Sequence, residues 1–155
     1  MMIDTENLEI LSPKNQLQLF GYDDYFNSFI KLFNKNKLPN TILLSGLKGS
    51  GKATFTYHFI NYLFSYREHD KYSVSNFTIS SDNKSYKRLC NNIHPNFFLL
   101  ENNTHEESIK IENVRNILRF LNKTTYNSNI KIVMIDNVEY LNINSSNALL
   151  KSLEE

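Results

Sequence analysis

Lys52 ends a run in which three of the chain's four glycines fall close together: Ser45-Gly46-Leu47-Lys48-Gly49-Ser50-Gly51-Lys52-Ala53-Thr54. Glycine lets the backbone curl until successive N–H groups face an anion. A helix starting behind such a turn adds unpaired amides and a partial positive charge. Lys52 supplies a compact, mobile cation for outer phosphates. The run therefore reads as a phosphate-binding loop, with Gly46, Gly49, Ser50, Gly51, Lys52, Ala53 and Thr54 as nucleotide-binding candidates. ATP or ADP, with Mg²⁺, is the expected ligand. One position departs from the usual G-x-x-x-x-G-K-[ST] spacing, because the residue after Lys52 is Ala53 and brings no metal-binding hydroxyl. Thr54 comes one residue late, a rotation of roughly 100° around a helix.

A second candidate lies downstream. Lys131-Ile132-Val133-Met134-Ile135-Asp136 is an apolar run ending in a carboxylate. Ligands of parallel sheets bind at the carboxyl ends of strands. Asp136 is thus the candidate metal residue, holding Mg²⁺ through water. ATP-hydrolysing phosphate-loop proteins commonly follow this carboxylate with Glu, which polarises the attacking water. Here the next residue is Asn137, and an amide is no general base at neutral pH. No catalytic residue is assigned, and the chain's own ATPase activity is expected to be weak or absent.

These residues need elements to hold them. Thr41 to Ser45, apolar except at its ends, predicts a strand buried on both faces of a parallel sheet. Ala53 to Phe64 predicts the helix behind the loop, its aromatic stripe serving as core. Phe26, Phe29, Ile30 and Phe33 recur at helical spacing and predict a helix over about 22–36, ended by Pro39. Residues 66–93 are polar and weakly patterned, a surface excursion with one short helix near 84–92. Pro95 introduces a strand over 96–100, followed by a polar loop over 101–108. Val114, Ile117, Leu118 and Leu121 share one face of a helix over 111–121. A turn over 122–129, the strand ending at Asp136 and a helix over 147–155 complete the chain. Alternating strands and helices give an α/β parallel sheet with flanking helices.

The 155 residues suffice for one domain with one core. Hydrophobic residues make up 41% and mean hydropathy is −0.43, with no apolar run near the ~20 residues of a membrane span. The N-terminus is acidic and lacks a signal-peptide core, so a cytoplasmic location is expected. Net charge is +1, which gives no nucleic-acid signal. Lys84, Lys87 and Arg88 read as a solvated segment. Cys90 is the sole cysteine, which excludes an internal disulfide and a cysteine-cluster zinc site. His58, His69, His94 and His105 show no ligand spacing.

The segment from Lys131 to Leu141 runs on into Asn147-Ala148-Leu149-Leu150-Lys151-Ser152-Leu153-Glu154-Glu155. This resembles the AAA+ module of bacterial clamp-loader subunits of DNA polymerase III, whose N-A-L-L-K-x-L-E-E helix is highly specific. His94-Pro95-Asn96, Ile111-Glu112-Asn113-Val114-Arg115 and Leu38-Pro39-Asn40 agree with the same family. The resemblance implies a P-loop NTPase fold, AAA+ and RecA-like, with residues 1–155 forming the N-terminal part of one module, truncated before the sensor strand. In such modules the strand after the Leu-Glu-Glu helix inserts between the loop strand and the Asp strand. The lid and collar domains, and the Ser-Arg-Cys motif carrying an arginine finger, lie beyond that helix in the family. The isolated chain is accordingly expected to be poorly soluble or only partly folded.

Within the family, Ala53, Asn137 and the lack of zinc cysteines resemble the delta-prime branch rather than the gamma/tau motor branch. That resemblance implies a subunit with a degenerate ATP site that helps load the sliding clamp on primed DNA during replication. The implied partners are gamma/tau and delta subunits, with the clamp and primer–template DNA reached through the complex, and no membrane. A DNA polymerase label would describe the holoenzyme rather than this chain. The alternative reading, an active AAA+ ATPase of the gamma/tau type or another DNA-processing AAA+ enzyme, rests on the retained Lys52 and Asp136. A kinase-like phosphate-loop enzyme is a weaker third reading, because no acceptor-substrate site is offered.

Overall fold

A computed structural model describes residues 11–101, 108–125 and 130–154. Its helices are α1 (Asp23–Asn34), α2 (Lys52–Ser65), α3 (Lys84–Cys90), α4 (Ile111–Leu121) and α5 (Ile143–Glu154). Two strands, β1 (Phe97–Glu101) and β2 (Ile132–Asp136), pair in parallel, with Phe97 opposite Ile132 and Glu101 opposite Asp136. Most of the loop expected over 101–108 and the end of the turn over 122–129 lie outside the described residues.

The strand period of two decides the layers. Phe97, Leu99, Ile132 and Met134 cluster with Ala53, Tyr57 and Ile60 of α2. Phe98, Leu100, Val133 and Ile135 cluster instead with Ile117 of α4 and with Ile109, Tyr140 and Leu141. One helix therefore covers each face, as a parallel pair with a crossover requires. The helix α4 sits with Val114 and Ile117 inward, while Glu112 pairs with Arg115 and Arg119 on its outer face. Lys131 donates to the carbonyls of Phe120 and Leu121, capping α4 where a cation is favoured. Asn142 caps α5 by accepting from Ser145 N at 2.8 Å.

The expected strand over Thr41 to Ser45 is not formed. This stretch makes no ladder, Leu43 is 74% exposed, and only Leu44 packs against the core. A strand exists only through hydrogen bonds to a neighbour, and the described residues place none beside it. The described sheet thus has two of the three strands read from the sequence.

The second correction concerns the 66–93 excursion. It is not only surface: Tyr72 and Ile79 are buried with Phe26, Phe55, Phe59 and Tyr62. Its backbone pairs with the N-terminal segment, Leu19 N to Phe77 O at 3.0 Å and Ile79 N to Leu17 O at 2.9 Å. A buried polar network anchors it. Asn61 donates to Asn83 Oδ1 at 2.9 Å, Asn83 donates to the Asp70 carbonyl at 2.6 Å, and Ser65 Oγ accepts from Tyr72 N at 3.0 Å. The Glu68 carboxylate accepts from Lys84 N and Ser85 N and so caps α3.

Two buried imidazoles are held neutral. His58 Nε2 faces the Gln16 carbonyl, which can only accept, so this nitrogen carries the proton and Nδ1 accepts from Tyr72 Oη. Burial lowers the His58 pKa to about 4. His94, stacked 4.0 Å from the Phe64 ring, is lowered to about 4 by burial and by the Arg88 charge. Unfolding exposes both rings to their ordinary pKa of 6.5, so the unfolded chain binds more protons below that value. Stability should be full above pH 7 and fall as pH drops from 6.5 through about 4. The loss should be on the order of 3 kcal/mol per ring. Thermal unfolding at graded pH checks this, and His58→Gln should flatten about half of the slope.

Candidate functional site

The loop stands between the unpaired 41–45 segment and α2. Gly46, Gly49 and Gly51 have φ of 156°, 79° and 87°, all on the positive side that L side chains rarely adopt. Ser50 N donates to Leu47 O at 3.2 Å, closing a turn inside the loop. The helix α2 starts at Lys52 with left-handed Gly51 as its N-cap, and its first intrahelical bond runs from Phe55 N to Gly51 O at 2.9 Å. The amides of Lys52, Ala53 and Thr54 therefore precede the bonded turns and face the loop end of the helix. Lys52 Nζ donates to Gly46 O at 2.9 Å and Leu47 O at 2.8 Å, so the ammonium lies across the loop it would serve.

Ala53 and Thr54 diverge as the helical rotation requires. Ala53 belongs to the apolar cluster between α2 and the sheet. Thr54 lines a cleft of about 230 Å³ together with Gly49, Ser50 and Gly51 on one side and Gln16, Gln18 and Tyr22 on the other. Tyr22 Oη donates to Ser50 O at 2.6 Å, and its ring lies where a Cβ on Gly51 would meet Cε2 at 3.3 Å.

Asp136 ends β2 in register with Glu101 of β1. Both fall on the strand positions that face α2. Tyr57 of α2 senses them: burial first, then the Glu101 and Asp136 charges, push its hydroxyl up to about 12. Asn137 follows in the left-handed region, at φ 61° and ψ 55°, and leads into a single 3₁₀ turn, Val138–Tyr140. Asn tolerates that conformation better than most residues.

Of the sequence-derived residues, Gly46, Gly49, Ser50 and Gly51 lie in the turn, Lys52, Ala53 and Thr54 open α2 with Ala53 directed to the sheet cluster, and Asp136 sits at the carboxyl end of the sheet on the α2 side. Sequence reasoning missed Glu101, although it too is a carboxylate ending an apolar strand. It also missed Gln16 and Gln18, which line the cleft, and Tyr22, whose bond to Ser50 spans 28 residues and leaves no local signal.

A family model described as "DNA polymerase III, delta subunit" matches residues 21–155. The chain is also similar to "DNA polymerase III subunit delta'" of Pseudomonas aeruginosa, with 38% identity over 72 residues. That alignment covers 46% of this chain and 22% of the relative.

The Lys52 bridge yields a test that needs no ligand. Lys52→Met removes both bonds to the loop carbonyls, so amide exchange at residues 47–51 should rise about tenfold. The melting temperature should move by less than about 3 °C, because exposed hydrogen bonds contribute little to global stability. Unchanged exchange would show that the ammonium does not hold the loop.

Proposed function

The chain belongs to the DNA polymerase III, delta subunit family, and on that premise we propose that it acts as a delta-prime-type clamp-loader subunit with a degenerate nucleotide site. Its role is to complete a ring with gamma/tau and delta subunits that loads the sliding clamp on primed DNA during replication. The observation that carries this reading is the division of the site into two unequal halves. Its phosphate half suits a nucleotide: three positive-φ glycines, the leading amides of α2 and Lys52 converge on one turn. Its metal half does not, since Ala53 packs among apolar side chains and brings no metal-binding hydroxyl after Lys52.

In this reading ATP or ADP takes its phosphates at Gly46 to Thr54, and Lys52 turns from the loop carbonyls to the outer phosphates. Mg²⁺, when bound, would neutralise charge between those phosphates, held through water by Asp136. Asn137 withdraws the general base, so the nucleotide holds shape rather than undergoing turnover. The retained Lys52 and Asp136 favour the competing reading, a working ATPase.

Turnover assays separate the two. The full-length subunit alone should hydrolyse no ATP above the level of its Lys52→Ala variant. In a complex reconstituted with gamma/tau, delta, clamp and primed DNA, Lys52→Ala in this subunit should leave the loading rate within about twofold. Lysine-dependent hydrolysis by the isolated subunit would overturn the proposal.

A further inference from the structure

We propose that Tyr22 is a positioning residue of the phosphate loop, acting through its hydroxyl on the Ser50 carbonyl; this rests on reading residues 46–54 as a nucleotide site. Tyr22 is the N-cap residue of α1, with its carbonyl accepting from Phe26 N at 2.8 Å. Its ring contacts Phe55 at 5.2 Å between centroids, so it is held by the aromatic core as well as by α1. The hydroxyl donates to Ser50 O at 2.6 Å across the cleft that both line.

The consequence follows from peptide geometry. The peptide between Ser50 and Gly51 is trans, as are all the others described. In a trans peptide the C=O and N–H point in opposite directions. Holding the Ser50 carbonyl toward Tyr22 therefore turns the Gly51 N–H away from the ring. A phosphate held on the side of the loop away from Tyr22 would meet that N–H. Glycine's own steric barriers hold this peptide weakly, so the hydroxyl adds to the restraint set by Gly51 O accepting from Phe55 N at 2.9 Å. The same ring disfavours any larger residue at position 51, since a Cβ there would meet Tyr22 Cε2 at 3.3 Å. Tyr22 thus turns a permissive glycine peptide into a fixed donor and ties it to α1.

Tyr22→Phe in the full chain isolates the hydroxyl, because the ring and its Phe55 contact remain. Affinities for ADP, inorganic triphosphate and adenosine should be measured by calorimetry, with Lys52→Ala as a reference. The variant should lose about tenfold in affinity for ADP and for inorganic triphosphate while adenosine affinity stays unchanged. Its Gly51 amide should exchange faster without ligand. A merely structural role would lower the melting temperature or weaken all three ligands alike, and that result would overturn the inference. Equal triphosphate affinity in wild type and Tyr22→Phe, with loss in Lys52→Ala, would overturn it while leaving the nucleotide reading intact. Failure of the wild type to bind either phosphate ligand would remove both.

Discussion

The Phe26 ring is fully buried where α1, α2 and the 66–79 excursion meet. It lies edge-on to Phe55, Phe59, Tyr62 and Phe77 and stacks on Tyr72 at 5.1 Å. Edge-to-face and offset arrangements of this kind add to the burial of the rings themselves. Most of what surrounds the loop follows from this contact. It fixes α1 against α2, and with it Tyr22, whose hydroxyl reaches Ser50. It also holds the excursion, whose backbone bonds to residues 17–19 back the N-terminal segment that lines the cleft opposite the loop.

The helix α2 carries two unrelated apolar surfaces. Phe55, Phe59 and Tyr62 face the aromatic cluster, while Ala53, Tyr57 and Ile60 face the sheet. Burial on both sides explains why aromatic residues occur all around this helix rather than in a single stripe. It also explains the fate of position 53. A side chain there points toward the sheet cluster, where a methyl packs well and a hydroxyl would need a partner. The phosphate end of the helix is built from backbone, which no such substitution removes.

Several features were open to reading before any coordinates. Glycines at 46, 49 and 51 before Lys52 announced the turn, and all three take positive φ. The periodicity of α1, α2 and α4 and the apolar runs of β1 and β2 matched the observed elements within a few residues. The Thr41 to Ser45 stretch was misread for a physical reason: its composition suits a strand, but a strand needs a neighbour that composition cannot supply. The excursion was misread because its apolar residues, Tyr72, Val74, Phe77 and Ile79, are scattered among polar ones. Its order comes from Asn61, Asn83 and Ser65, buried polar residues that a search for apolar periodicity passes over.

By itself the sequence determined the local chemistry: a glycine turn that can face an anion, a lysine behind it, a carboxylate ending a strand, and the two changes at Ala53 and Asn137. These depend on residue type and short spacing alone, so no distant contact was needed to see them. Tertiary structure alone decided what orients that chemistry. It set Glu101 beside Asp136, brought Tyr22 to the Ser50 carbonyl across 28 residues, and turned Ala53 into the sheet cluster. Each of these joins segments far apart in the chain, and only packing of the whole core brings such segments together.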